Sequence, residues 1–454
     1  MKKDNTKLLK TIESAHLKKI NLMAAGIDVG SRSHYVAIPE GINEVSVREF
    51  ASFTADLYAL ADWLKQAGIT TIAMESTGVY WIPLYEVLES RGFDVKLVDA
   101  RHVKNVSGRK TDVLDCQWIQ QLHTYGLLQG AFRPNETVLE LRGYLRQRQQ
   151  LIQHSATHIQ HMQKALIQMN LLLHNVLSDI TGETGMKIIR AIVSGIYDPK
   201  ILANYRHGRC KNSQDTIEKS LQGNYRPEHL FLLKQSLELY DIYQEKINAC
   251  DQQIENWLLA TESKKEITVR TPKKQRAKKH KHDMAFDACT HLHRVTGVDL
   301  TQIPGIEANT ALKIISEVGL DLTRWKSAKQ FACWLGVCPG NKISGGKRLS
   351  SKTKRTSNYA ASALRMAASS LHGSQTALGA FFRRMKARLG APKATTAAAH
   401  KLAVILFNML KKGQEYVEKG QTYYETQYKE RVIRNLSQRA KELGLQLVPA
   451  EGGS

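Results

Sequence analysis

Between residues 22 and 125 the chain alternates short apolar runs with amphipathic stretches. The runs at 23–29, 34–39, 45–50, 69–74 and 94–98 are short, β-branched in part and bounded by polar residues, which predicts strands. The stretches 54–67 (Ala55, Leu57, Leu60, Leu64), 79–90 and 112–125 repeat apolar residues three and four apart, which predicts helices. The order is three strands, then helix, strand, helix, strand, helix. From 137 the period lengthens. Leu141, Leu145, Arg148, Ile152, Ser155, Ile159, Met162, Leu166, Met169, Leu173 and Val176 alternate spacings of four and three, a heptad seam that predicts one long helix with polar interruptions. A second seam runs through Leu230, Leu233, Leu237, Tyr240, Ile247, Ile254 and Leu258. The two fit either an antiparallel hairpin within one chain or pairing across a dimer, and spacing does not decide between them. Gly185–Leu221, between the seams, is helical with Gly and Asp-Pro breaks.

After 285 a mainly helical unit begins. The turn Ile303-Pro304-Gly305-Ile306 between short helices resembles a helix–hairpin–helix element, whose backbone N–H groups take DNA phosphates. Asn358–Ser370 and Thr395–Lys411 are alanine-rich helices, and the last forty residues read as a charged helix and a frayed tail. The expected organisation is a basic extension (1–21), an α/β domain (22–130), a coiled-coil helical domain (137–261), a basic linker (262–285), a mainly α C-terminal domain (286–412) and a charged helical tail (413–454).

Four acids stand where this pattern would place metal ligands. Asp28 closes the run Met23–Ile27, Glu75 closes Ile69–Met74, and Asp112 and Asp115 share one face at the start of a helix. The element order is that of a ribonuclease H-like α/β fold, in which central strands and a covering helix converge. Such an oxygen-rich set suits Mg²⁺, and Mg²⁺ pairs are a common device for phosphodiester cleavage. Asp99 also ends a strand but is left outside the set. His154, His158 and His161 share a helical face without a fourth ligand, and read as an exposed row facing RNA or a partner rather than as a zinc site.

Lys and Arg exceed Asp and Glu by 65 to 42, a formal charge of +23, which favours a polyanionic partner, nucleic acid before membrane. The six Cys are scattered without a CxxC pair, arguing against a zinc-thiolate site and against a disulfide framework, and fitting a reducing cytoplasm. No apolar run of membrane-spanning length is present, and the expectation is a soluble intracellular protein. Nine of the eighteen residues from 264 to 281 are Lys or Arg, among them Lys273, Lys274, Arg276, Lys278 and Lys279. That run reads as a nucleic-acid contact in preference to a merely solvated linker. A second basic segment, 341–355, carries Lys342, Lys347, Arg348, Lys352, Lys354 and Arg355 and no acid, together with Ser344, Ser350, Ser351 and Thr353. The glycines after Ser344 permit close backbone approach to a ligand. A hydroxyl there can bind a phosphate or attack one, and composition alone does not rank them.

The motifs carrying these residues resemble a known family. Gly26-Ile27-Asp28-Val29-Gly30-Ser31 looks like the first strand of RuvC-type resolvases. Met74-Glu75-Ser76-Thr77-Gly78 and Lys110-Thr111-Asp112-Val113-Leu114-Asp115 complete the pattern of the DEDD transposases of bacterial insertion sequences, the "one-ten" group. Ile303-Pro304-Gly305-Ile306, Leu335-Gly336-Val337-Cys338-Pro339 and Ile343-Ser344-Gly345-Gly346-Lys347 match its C-terminal signature. The resemblance covers about 22–130 and 295–412 and includes the type of helical insert. It implies a site-specific DNA recombinase, soluble in the bacterial cytoplasm and associated with the nucleoid, that excises and inserts its own element. It further implies guidance by a noncoding bridge RNA, Mg²⁺ (with Mn²⁺ as substitute) on Asp28, Glu75, Asp112 and Asp115, and Ser344 as nucleophile in a covalent protein–DNA intermediate. The partners implied are donor and target DNA, the guide RNA and further copies of the chain, a dimer that becomes a tetramer when active, with no membrane. The rival is a metal-dependent nuclease or Holliday-junction resolvase that activates water instead.

Overall fold

The computed structural model describes residues 18–76, 78–98, 112–265, 281–356 and 358–448. The chain divides into two compact units, Met1–Arg133 and Pro134–Ser454. In the first, the elements are β1 (Ala24–Val29), β2 (Ser33–Ala37), β3 (Val47–Ala51), α1 (Thr54–Gln66), β4 (Thr71–Glu75), α2 (Trp81–Ser90), β5 (Asp94–Val98) and α3 (Asp112–Thr124). They build a five-stranded sheet in the order β3-β2-β1-β4-β5. The first three strands are antiparallel neighbours, while β4 and β5 extend the sheet parallel to β1. This mixed α/β unit is followed by a mainly helical one.

Alternation along β1 and β4 sorts the two faces of the sheet. Ala25, Ile27, Val29, Ile72 and Met74 join Leu57, Leu60 and Leu64 of α1 and Leu84 and Leu88 of α2 in one buried core. The opposite face carries small residues, Ala24, Gly26 and Ala73, and there α3 lies directly on the sheet. A Cβ at Gly26 would stand 2.2 Å from the Gln120 backbone nitrogen and 2.4 Å from the Cys116 carbonyl oxygen, so only glycine admits the helix at this distance. Two polar contacts pin α3 further along. Gln120 Nε2 donates to the Ala24 carbonyl at 3.3 Å, and Thr71 Oγ1 and His123 Nε2 are 2.9 Å apart in the interior.

The second unit opens with α4 (Glu136–Gln168), continues through α5 (Leu173–Val176), α6 (Glu183–Val193), α7 (Pro199–Ala203) and α8 (Gln214–Ser220), and returns along α9 (Pro227–Ala260). α4 and α9 run antiparallel within one chain. Trp257 Nε1 donates to the Thr137 carbonyl at 2.7 Å, Arg148 is paired with Asp251, and Gln244 Nε2 donates to Ser155 Oγ at 3.0 Å. The expectation that the first seam is one helix as far as Val176 is corrected, because α4 ends at Gln168. Asn170 takes a left-handed φ of 57°, and the Met169 carbonyl instead accepts the Asn224 backbone N–H at 2.8 Å. Leu171 and Leu173 thereby enter a core with Ile188, Ile192, Leu202, Ile217 and Leu233. Burial of this cap outweighs continuation of the helix.

The remaining elements are α10 (Ala288–Thr296), α11 (Ala308–Val318), α12 (Ala328–Trp334), the hairpin β6 (Lys342–Ser344) and β7 (Lys347–Ser350), α13 (Tyr359–Ser370), α14 (Ala377–Leu389), α15 (Ala391–Lys412) and α16 (Gly420–Glu442). Ala360, Ala361, Ala367, Ala368, Ala394, Ala398 and Ala399 are buried, and these small side chains let α13 and α15 approach closely. Helices on either side of 262–285 pack together in this unit. Arg142 Nε donates to the Ser316 carbonyl at 3.0 Å, and Arg146 Nη2 reaches Glu317 Oε1 at 2.8 Å. The turn at Pro304–Gly305 follows a single 3-10 turn, Leu300–Gln302, and closes through Ile306 N–H to the Ile303 carbonyl at 3.0 Å. Gly305 has φ 84°, and a Cβ there would meet the Ala367 carbonyl oxygen at 2.6 Å, so this turn packs against α13.

Candidate active site

Parallel pairing of β1 with β4 brings Ile27 opposite Met74, so the next residues, Asp28 and Glu75, stand at the carboxyl ends of adjacent strands. Both follow the alternation of Gly26 and Ala73 and therefore belong to the face that α3 covers. Asp112 and Asp115 occupy the first described turn of α3, where acids also suit the positive end of the helix. The press of α3 on Gly26 thus sets its first turn beside the end of β1. The Asp28 carboxyl records the outcome. Burial, then the charges of Glu75, Asp115 and Asp112, raise its pKa from an ordinary 3.8 to about 6. Glu75 itself is only 6% exposed.

Among the described residues, no three His, Cys, Asp or Glu side chains are gathered tightly enough to hold a metal ion as they stand. Four carboxylates of like charge repel when nothing positive lies between them, and Asp28 carries that repulsion. In kind the donor set fits a hard divalent cation, because every donor is a carboxylate oxygen. Sequence reasoning passed over Cys116, one helical turn after Asp112. Its thiol donates to the Val113 carbonyl at 3.1 Å, and burial, with the charges of Asp28 and Asp115, pushes its pKa up to about 12. Held protonated, it is neither a nucleophile nor a ligand. Its position four residues after Asp112 was the available signal. Tyr35, paired with Asp28 across β1 and β2, was also passed over.

Ser344 lies in the second unit, as the last residue of β6, and is exposed. It pairs with Lys347 across a two-residue turn in which Gly345 and Gly346 have φ of 54° and 74°. Positive φ at both centres is the signature of the tight hairpin turns that match strand twist, and glycine supplies it without strain. Strand alternation places Lys342 and Lys347 on the face of Ser344 and Ile343 and Arg348 on the other. Lys342, Lys347, Arg348, Lys352, Lys354 and Arg355 are all exposed. Lys273, Lys274, Arg276, Lys278, Lys279 and Asp99 lie outside the described residues. The histidine row is not uniformly free. His158 stacks on Tyr243 of α9 with ring centroids 5.2 Å apart, and His154 meets the same ring edge-on at 6.0 Å, while His154 and His161 remain exposed.

Residues 25–171 match the family model of DEDD transposases of the IS110 type, described as transposase. Residues 299–382 match that of the transposase IS116/IS110/IS902 family. The first segment holds all four acids and the second holds Ser344. Such a chain is an enzyme that acts on DNA, a transposase or recombinase. It belongs to the IS110 family of insertion-sequence transposases. The DEDD domain suggests dependence on a divalent metal. No curated protein matches the chain. No helix among the described residues is long and apolar enough to cross a membrane.

Proposed function

We propose that this transposase is an RNA-guided, site-specific recombinase in which Asp28, Glu75, Asp112 and Asp115 hold Mg²⁺ and Ser344 attacks a DNA phosphate. The observation that carries the reading is the Asp28 carboxyl, which feels the other three acids at once. The strand order β3-β2-β1-β4-β5, antiparallel then parallel, supports assigning the first unit to the ribonuclease H-like, RuvC-type folds. Bound there, a divalent ion supplies neutralisation of charge developing on the phosphoryl oxygens and lowers the pKa of a hydroxyl nearby. The acids would hold that ion at the ends of β1 and β4 and so fix where the scissile phosphate can bind. Ser344 Oγ gives its proton to water and forms a bond to phosphorus, while the bond from phosphorus to a deoxyribose oxygen breaks. The electron pair leaves with that oxygen, which takes up a proton. One phosphodiester is exchanged for another, so the later rejoining needs no outside energy. Lys342 and Lys347, on the serine's face, hold the phosphate by charge.

The two halves are complementary. The serine hairpin has cations and no acid between 341 and 355, hence no base of its own. The acidic site has carboxylates, but its one nearby thiol is held protonated. We assign the pairing to different protomers of a homo-oligomer, a tetramer when active, with a bridge RNA supplying the target and donor sequences. The working compartment is the bacterial cytoplasm. Trapping tests the chemistry. Denaturing gels of the purified protein with element-end DNA and Mg²⁺ are expected to show a covalent adduct, absent from Ser344→Ala, from Asp112→Asn and after EDTA. Cleavage by Ser344→Ala at the wild-type rate would instead establish a water-activated nuclease or junction resolvase. For the RNA, the expected result is an element-derived transcript that copurifies and whose removal by RNase ends recombination; full activity after RNase overturns the guide.

A further inference from the structure

Where α14 leaves the second family-matched segment, three helices bring cations together, and among the described residues the charges acting on Lys401 are both positive. The Arg384 guanidinium, on α14, lies over the rings of Tyr424 and Tyr428 of α16, 4.9 and 3.6 Å from their centroids. Its Nη1 and the Tyr424 hydroxyl are both buried, and the polar neighbour of that hydroxyl is the same guanidinium. Lys401, on α15, sets its ammonium over Phe381 of α14 at 4.3 Å, and Phe381 meets Tyr424 edge-on at 6.2 Å. Arg431 of α16 is exposed and close enough for its charge to act on Lys401 and Tyr424. Lys401 is held below the ordinary lysine range, first by burial and then by the charges of Arg384 and Arg431, which puts all three cations in one field.

The nearby acids of α16 are engaged elsewhere, Glu425 with Gln421 at 2.6 Å and Glu430 with Gln427 at 3.1 Å. A fold that merely docked α16 would gain by placing a carboxylate here. Instead three like charges stand close together beside aromatic rings, with a buried guanidinium nitrogen and a buried hydroxyl among them. That is the arrangement that takes oxyanions strung along a polymer with flat bases.

We propose that Arg384, Lys401 and Arg431, with Tyr424 and Tyr428, form a binding site for the phosphodiester backbone of a nucleic acid. The site deepens the reading of this chain as a nucleic-acid recombinase and adds a contact surface distinct from the serine hairpin. Because the cluster is self-repelling when empty, affinity and stability respond to neutralisation in opposite directions. The test uses the full chain in EDTA, so that no chemistry intervenes. Anisotropy titrations across 50–200 mM salt would be run with a fluorescent duplex DNA and, separately, a single-stranded RNA, alongside thermal melts.

For Lys401→Gln/Arg431→Gln the log K against log salt slope is expected to fall by about 1.8 on duplex DNA, or by about 1.4 on single strands, at roughly 0.9 and 0.7 per lost phosphate contact. Its melting temperature is expected to hold or rise. Lys246→Gln, an exposed lysine of α9, serves as the charge control and is expected to leave the slope within error. A fall on only one nucleic acid identifies the occupant. Slopes unchanged on both, with wild-type binding intact, overturn the site while the recombinase reading stands. A slope that falls only together with a lower melting temperature overturns it too, in favour of a structural role. If the adduct test above fails while these slopes fall, the site stands and the serine chemistry does not.

Discussion

At neutral pH the Asp28 carboxylate is charged among three neighbours of its own sign and partly withdrawn from water, an arrangement that suits a cation and strains the protein without one. The stability consequence has a definite sign. Folding raises the pKa of this acid from 3.8 to about 6, so the folded state binds the proton more tightly than the unfolded state. Metal-free stability therefore falls as pH rises from about 4 through 6, and the penalty is complete above 6. Two pKa units would set a ceiling of about 3 kcal/mol, and solvent screening of a half-buried group reduces this to about 1 kcal/mol. In EDTA, Asp28→Asn is expected to melt about 2 °C higher than wild type at pH 8 and to match it near pH 4. Paired melts at the two pH values check this; an equal shift at both would remove charge repulsion as the cause.

Among the elements, the paired long helices carry the clearest internal constraint. Arg148 and Asp251 are 6% and 2% exposed and face one another in the middle of the seam. Asp251 also accepts the Ala285 backbone N–H at 3.0 Å, and Arg148 Nη2 donates to the His282 carbonyl at 3.2 Å. Arg148→Met alone strands a buried carboxylate and is expected to cost about 3–5 kcal/mol, whereas Arg148→Met with Asp251→Leu should recover more than half of that. Urea midpoints of the two variants decide it, and equal losses would mean the ion pair is not the source. The same contacts explain what the sequence made legible. The strands were readable because apolar runs end at polar residues, and Asp28 and Glu75 were placed by those ends. The pairing of the two seams was left open, yet a signal existed. The first seam is interrupted at Arg148 and Ser155, and the second omits 251 and 244, positions held by Asp and Gln. Each interruption meets its counterpart, Arg148 with Asp251 and Ser155 with Gln244, a match that requires the seams to run antiparallel. The end of α4 carries only a weak local signal, Asn170, a residue type that tolerates left-handed φ. The cap supplied by Gly223 and Asn224, more than fifty residues on, holds Asn170 left-handed.

For the whole molecule, the decisive arrangement is that acids and serine belong to different compact units of one chain, with residues 28, 75, 112 and 115 in the first and 344 in the second. A chain so divided can complete its site from its own two units or from those of two protomers. Only the second route makes assembly a condition of chemistry, which would keep a lone protein from cutting DNA. The two routes give opposite results in a mixing experiment. Asp112→Asn protein retains an intact serine half, and Ser344→Ala protein retains an intact acidic half. Each alone is expected to form no adduct. If sites are shared between protomers, random mixing at equal amounts joins an intact acidic half to an intact serine half in about one site of four. The mixture should then form adduct at about a quarter of the wild-type level, and the labelled protein in the gel band should be the Asp112→Asn chain alone. If each site is built within one chain, the mixture stays as inactive as its parts. Tagging the two variants to different masses makes the band assignment direct, and a band from the Ser344→Ala chain would exclude Ser344 as the attacking group.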